Sequence, residues 1–397
     1  MLKGHGSVYL VGQFFGVIKY KLSGSEQTID ISLPRKEHSI GVGHRDFEVD
    51  FDPRLPIEAD LGRRDFTINA MARECASGDI IDPFGGRKDL TDRILRMVSS
   101  NSFPDDPLRM LRGIQFAARF GLTVENATLS AMVEHASLAV TISAERISEE
   151  LNKLLLKAKN PSVGFRLMNQ TGLLGIILPE LAQTVGVEQP GGYHRWDVFE
   201  HTLQTIDNSP PRLLVRLAAL FHDCGKPSTR VLVADGATFY GHDHVGENMA
   251  YEALKRLRYS NEIIEKVCLL VRRHMFSESA GEKGVRRLIN QVGRELIFDL
   301  IDLRQADTLA QGMGQDLLGI AEYRQKVEIE LSRNSAFTTR DLAIDGNDIM
   351  TNLGIEESPD VGIVLNYLLN KVLDEPSLNT KEQLLELARE FFRKKVT

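Results

Sequence analysis

Sulfur chemistry is nearly absent from this chain: its three cysteines, Cys75, Cys224 and Cys268, are odd in number, and none stands in CxxC spacing. That excludes a disulfide-framed secreted scaffold and a cysteine zinc site, and it points to a reducing, cytoplasmic compartment. No apolar run approaches the roughly 20 residues of a membrane-spanning helix, and the N-terminal stretch has no basic-then-apolar leader, so neither a membrane contact nor a secretory signal is expected. Positive charge is also in short supply. With 48 Lys and Arg against 55 Asp and Glu the formal net charge is -7, which excludes a surface that coats nucleic acid and leaves only local basic patches, one of them Arg109, Arg112 and Arg119. No repeat or low-complexity tract interrupts the sequence.

What is present describes globular domains: 397 residues, 42% hydrophobic and 26% charged, too long for one ordinary domain. Strand signals fill the first part, in Ser7 to Val11, Gly16 to Tyr20 and the alternating Gln27 to Leu33. From Asp105 the period becomes helical, with Leu108, Leu111, Ile114 and Ala118 on one face. Asn160-Pro161 and Gly172 punctuate the helices, Gln189-Pro190-Gly191-Gly192 opens a histidine-rich region, and Ser332 to Thr339 forms a last break before a small helical tail. The fold class expected is α+β, a small mixed sheet followed by helices, divided at 1–90, 91–188, 189–332 and 333–397.

Two constellations carry chemistry. The first begins with Arg63-Arg64-Asp65 ahead of the amphipathic Phe66 to Met71, which predicts a charged trio at a helix start, suited to phosphate or ribose. The same trio also fits surface arginines with an aspartate cap. Its second piece is Asp105-Asp106-Pro107-Leu108-Arg109-Met110-Leu111-Arg112. At about 100° per residue, Asp106, Arg109 and Arg112 share one arc opposite Leu108, Leu111 and Ile114. A carboxylate and guanidiniums on one face can meet a base edge, although on spacing alone they also read as i,i+3 ion pairs on a solvated helix.

Arg63 to Met71, Asp82-Pro83-Phe84-Gly85-Gly86 followed by Asp89-Leu90, and Phe103 to Phe120 together resemble the class II tRNA nucleotidyltransferases, the CCA-adding enzymes, and their poly(A) polymerase relatives. The resemblance implies a nucleotidyltransferase head and helical neck acting on tRNA with CTP or ATP and Mg2+. It implies nucleotide contacts at Arg64, Asp65, Asp106, Arg109 and Arg112, with Asp105 replacing the usual glutamate, and a metal-binding carboxylate at Asp30. The family's opening Gly-Gly-x-Val-Arg-Asp turn and Asp-x-Asp strand have no counterpart, so the head is expected to be incomplete, as in a truncated chain. Asp30 alone cannot hold two ions against their hydration, and transfer by the residues as written is expected to be negligible. Asp46, Glu48, Asp50 and Asp52 alternate nearby, but the resemblance puts them in a connection.

The second constellation lies where six of the ten histidines fall, between His194 and His274. His201 sits in a helical pattern, His222-Asp223 follows the apolar Leu213 to Phe221, His242 and His244 flank Asp243, and Asp307 lies further on. Adjacent residues differ by about 100° on a helix, so His222 and Asp223 reach one metal only where the helix ends, an ending that Gly225 supplies. This order resembles the HD phosphohydrolases, all-helical domains in which a His, a His-Asp dyad and a distant Asp hold one or two divalent ions. It implies a metal site at His201, His222, Asp223 and Asp307 with His222 and Asp223 catalytic. The ion's identity is not fixed, and Lys226 and Arg230 lie near enough in sequence to meet a phosphate. Some bacterial CCA-adding enzymes carry such a domain here and hydrolyse 2',3'-cyclic phosphates and 2'-nucleotides. The tail resembles the part of the family that contacts the tRNA elbow. The leading expectation is therefore an RNA 3'-end nucleotidyltransferase fused to a metal-dependent phosphohydrolase. The alternative is a phosphohydrolase that uses head and neck only to bind RNA. Whether CC, A, CCA or poly(A) is added, and whether the chain forms a homo-oligomer, stays open.

Overall fold

Alternating residues near the N-terminus form a three-stranded antiparallel meander of β1 (Gly6–Val11), β2 (Val17–Leu22) and β3 (Thr28–Ser32), in the order β1-β2-β3. The structure is a computed structural model that describes residues 5–11, 17–39, 47–190, 195–234, 236–312, 317–333 and 335–396. Opposed positions Val8↔Tyr20 and Tyr20↔Ile29 gather apolar side chains on one sheet face, while Lys19↔Asp30 puts Asp30 on the other. A hairpin of β4 (Arg35–Ser39) and β5 (Phe47–Phe51) follows. The rest is predominantly helical, as the α+β reading expects. None of the described helices is long and apolar enough to cross a membrane.

The described chain falls into two compact units, Met1–Ala182 with Arg256–Tyr259, and Gln183–Lys255 with Ser260–Thr397. In the first, the helix Leu108–Phe120 turns Leu108, Met110, Leu111 and Ile114 into the core. Phe66 is fully buried beside it, with ring centroids 6.5 Å from Phe103 and 6.1 Å from Phe116. Burying such a ring contributes about 1.5–3 kcal/mol. Gly113 is what lets the ring in, because a Cβ there would stand 2.6 Å from Phe66 Cζ and 2.7 Å from Met132 Cε.

The second unit is helical apart from one hairpin, Val231–Val233 with Gly236–Thr238. Its central helix Leu213–Phe221 has the bounds the apolar run predicts, and seven of its nine residues are buried. It packs against Val198–Asn208, Ile297–Ala310 and Asn261–Arg273, so the histidines and aspartates near the ends and middles of these helices face a common centre.

Candidate functional site

Arg63-Arg64-Asp65 does not begin a helix. It follows one: Ile57–Gly62 ends with Arg63 as its C-cap, and only a single 3-10 turn, Thr67–Asn69, comes after. The reason is local. Phe66 takes an extended conformation (φ -128°, ψ 150°) and bridges to Met97, and the chain cannot be both strand and helix start there. The positive end of a helix dipole is therefore absent, and the charge of this segment comes from side chains. Asp65, 5% exposed, accepts from the Phe66 amide at 2.9 Å, and its other oxygen lies 3.1 Å from Arg112 Nη2. Asp60 takes Arg63 at 2.8 Å and lies 3.8 Å from Arg64, whose guanidinium also donates to the Asn69 carbonyl at 3.2 Å.

The second predicted segment meets the first here. Arg109 donates to the Arg63 carbonyl at 2.8 Å and to the Ser102 carbonyl at 3.3 Å. Asp106 departs from the expected helical arc: it is the extended C-cap of Ser102–Asp105 (φ -145°, ψ 97°), Pro107 caps the following helix, and Arg146 donates to the Asp106 carboxylate at 3.0 Å. Proline disfavours the helical region for the residue before it. Arg146 was not legible as a site residue, since no local pattern links it to Asp106, while Asp60 was passed over although it stands at i,i+3 and i,i+4 from Arg63 and Arg64. Asp30 is exposed on β3 and belongs to neither of the metal-competent groups found among the described residues. Of its named alternates, Asp46 and the side chains of Glu48 and Asp50 lie outside the described residues.

In the second unit the predicted ligands converge, in a richer arrangement than predicted. Ligand atoms of His201, His222 and Asp307 lie within 4.8 Å of one another, and those of Asp223, His242 and His274 do likewise; all six residues are buried. Asp223 spans the two groups. Its Oδ2 is 3.3 Å from His222 Nε2 and 3.5 Å from His201 Nε2, while its Oδ1 is 3.6 Å from His242 Nε2. Beside the expected His201, His222, Asp223 and Asp307 the cluster brings in His242 and His274, so that two groups of candidate ligands adjoin with Asp223 between them.

The tautomers follow from the backbone. Nδ1 of His222 faces the Ala219 carbonyl at 2.8 Å, that of His242 the Phe239 carbonyl at 2.7 Å, and that of His274 the Val271 carbonyl at 2.7 Å. A carbonyl only accepts, so each Nδ1 carries the proton and each Nε2 turns its lone pair inward. Burial, then His222 and His242, push the His274 imidazole down to about 3. Burial would raise the Asp223 and Asp307 carboxyls, but the imidazoles, joined at Asp223 by Lys226, outweigh it and hold both below the usual carboxylate range. Burial would lower His222, yet Asp223 and Asp307 draw it upward. Inward lone pairs and ionised carboxylates in a buried cluster make a donor set that suits divalent cations.

Gly225 acts differently from the helix stop expected of it. Its φ of -76° is ordinary, but a Cβ on it would meet the His242 carbonyl oxygen at 2.2 Å and the Gly246 nitrogen at 2.8 Å. It is the point of close approach between the His222-Asp223 turn and the helix His242–Arg256. Lys226 ion-pairs with Asp223 at 2.7 Å and donates to Gln189 at 2.6 Å, and Arg304 holds Asp307 at 3.0 Å. A cavity of about 540 Å³ opens on the cluster, lined by Lys226, Phe239, Tyr240, Met275 and Arg304 among others; Arg230 is not among its lining residues. His242, His274 and Arg304 were missed from the sequence. The crowding of six histidines into one region was the signal for the first two.

Residues 1–96 match the family described as "Poly A polymerase head domain", residues 121–184 "Probable RNA and SrmB- binding site of polymerase A", and residues 239–388 a tRNA nucleotidyltransferase domain 2. A CC-adding tRNA nucleotidyltransferase of Thermus thermophilus is 35% identical over 381 residues, 92% of this chain and 84% of that protein. An A-adding tRNA nucleotidyltransferase of Deinococcus radiodurans is 36% identical over 341 residues, 80% of this chain and 76% of the relative. A crystal structure of the Bacillus stearothermophilus CCA-adding enzyme in complex with CTP aligns with a TM-score of 0.69 over 98% of this chain and 85% of its own, at 22% identity, which shows a shared fold.

Proposed function

Because this chain belongs to the class II tRNA nucleotidyltransferase and poly(A) polymerase family, we propose that it acts on the 3' end of tRNA with CTP or ATP, and that its second unit is a metal-dependent phosphohydrolase. In this reading residues 1–90 are the head, 91–188 the neck that reads nucleotide and RNA, 189–332 the hydrolase and 333–397 a tail that contacts tRNA. The observation that carries the transferase half is the joining of the two motifs: Arg109 binds the Arg63 carbonyl and Arg112 pairs with Asp65. Arg64, Asp65, Asp106, Arg109 and Arg112 then form one polar surface on which a base edge and a triphosphate exchange for the present partners. The family uses a divalent ion, typically Mg2+, and Asp30 is the carboxylate we assign to it. Among the described residues Asp30 belongs to no group of three or more candidate ligands.

The hydrolase half rests on the six buried donors. They fit divalent cations, with His201, His222 and Asp307 for one, His242 and His274 for another, and Asp223 between. Bound there, such ions supply Lewis-acid polarisation of a phosphoryl oxygen and lower the pKa of water. Lys226 and Arg304 bring positive charge to the same cavity and orient the phosphate. In hydrolysis of a 2',3'-cyclic phosphate, the water oxygen bonds to phosphorus and one ribose P–O bond breaks. One water proton passes to the departing ribose oxygen, and the other stays with the phosphate.

Calorimetric titration of the purified chain with CTP, ATP, GTP and UTP, together with release of monoester from 2',3'-cyclic AMP in added Mn2+, Ni2+ or Mg2+, tests both halves. CTP and ATP should compete for one site, and hydrolysis should require a metal. Equal affinity for all four triphosphates would remove the transferase assignment; hydrolysis that survives Asp223→Ala would remove the other.

A further inference from the structure

Tyr240 has 88% of its surface exposed, the largest fraction of any large hydrophobic side chain among the described residues, yet it lines the cavity over the metal-competent cluster. An aromatic ring offers about 150–250 Å² of apolar area, and a structural tyrosine buries most of it. Here the ring is presented outward at a defined place. Phe239 before it gives its carbonyl to His242 Nδ1 at 2.7 Å and its ring to Lys226 Nζ at 5.5 Å, and Gly241 after it turns the chain at φ +78° into the helix that begins with His242. Tyr240 is thereby held two residues from one candidate ligand. Met275, 59% exposed and adjoining His274, lines the same cavity. Two exposed, polarisable, apolar side chains, each beside a candidate ligand, share a cavity with Lys226 and Arg304.

A bare phosphate would be served by the cations alone. A flat apolar shelf next to them suits a ligand that carries both an anion and a planar ring, and the cavity volume falls within the roughly 300–1,000 Å³ usual for small-molecule sites. We propose that Tyr240 is a specificity residue of this pocket, stacking on the base of a nucleoside phosphate whose phosphate is held by Lys226 and Arg304. The proposal rests on the reading of the pocket as a phosphohydrolase site. The nucleoside phosphate has two sources, a free nucleotide or the 3' terminus of an RNA.

The test compares 2',3'-cyclic AMP, a short oligoribonucleotide ending in a 2',3'-cyclic phosphate, and methyl riboside 2,3-cyclic phosphate, which lacks a base. Stacking of one base on an aromatic side chain predicts that Tyr240→Ala lowers the preference for the base-bearing substrate about five- to hundredfold, through KM rather than kcat. Tyr240→Phe should keep the preference. A loss confined to the oligoribonucleotide supports the proposal with an RNA end as the source, and a loss confined to 2',3'-cyclic AMP supports it with a free nucleotide. An unchanged preference in Tyr240→Ala overturns it. Calorimetry with adenosine 2'-monophosphate on the metal-loaded protein separates the two claims. A chain that hydrolyses none of the three substrates refutes the hydrolase reading, whereas the Tyr240 assignment then stands or falls on whether Tyr240→Ala weakens that binding.

Discussion

The residues proposed to read the nucleotide already have partners within the protein. Asp106 holds Arg146, Arg109 holds two backbone carbonyls, and Arg112 lies against Asp65. In the proposed reading a base edge exchanges for existing hydrogen bonds, which keeps net affinity modest and makes geometry the discriminator. Arg109→Ala should weaken CTP and ATP binding together by about 1–3 kcal/mol; calorimetry that finds both affinities unmoved would show that Arg109 only braces the Arg63 loop. In the buried cluster of His and Asp donors the corresponding test is His274→Ala. It removes one Nε2 from the Asp223, His242 and His274 group while the other group keeps its three ligands, so metal content measured by mass spectrometry should fall by one ion per chain. Full retention would mean that His274 packs and does not ligate.

The helices of the second unit fix each donor by where they end or pass. His222 and Asp223 stand at the C-terminal end of Leu213–Phe221, His242 opens its own helix, His274 caps Asn261–Arg273, and His201 and Asp307 face each other at 2.9 Å from the interiors of Val198–Asn208 and Ile297–Ala310. Ligands on five separate elements converge only if the helices approach closely, and Gly225 sets the tightest approach. Gly225→Ala would force a Cβ against backbone atoms that have no rotamer to change. The expected cost is about 1–3 kcal/mol of stability, accompanied by weaker metal binding as His242 retreats from Asp223. Thermal melting with and without metal reads both effects, and an unchanged melting temperature in the two conditions would refute the close-approach argument.

Across the whole molecule the two candidate chemistries lie in different compact units, with the proposed nucleotide-binding residues in one and the candidate metal donors in the other. They should be separable. Asp223→Ala should abolish hydrolysis of 2',3'-cyclic AMP and leave CTP affinity as it was, and chelation of divalent metal should remove hydrolysis while Arg109-dependent nucleotide binding persists in the presence of restored Mg2+. Loss of CTP binding in Asp223→Ala would show that one unit depends on the other. An ion held by the folded donors and not by the unfolded chain should also stabilise the second unit by about 2.7 kcal/mol at a hundredfold excess over Kd, and so raise its melting temperature.

The sequence by itself determined the class of fold and named most of the candidate site residues. Alternation gave the strands around Asp30, and a largely apolar run broken only by Arg216 gave Leu213–Phe221 to the residue, because both are local patterns in which each position answers to its neighbours. Arg64, Asp65, Arg109, His201, His222, Asp223 and Asp307 were legible from motif order. What only the tertiary structure decided is how these residues meet. Asp106 leaves the expected arc because Pro107 disfavours helical backbone at the residue before it, and Phe66 is extended because its bridge to Met97 outweighs its amphipathic context. Arg146 enters the site through a contact from another element, as do His242 and His274, the latter 51 positions from Asp223. Spacing along a chain encodes a helix face or a strand edge; it does not encode which two helices will touch, since that depends on the packing of every side chain between them.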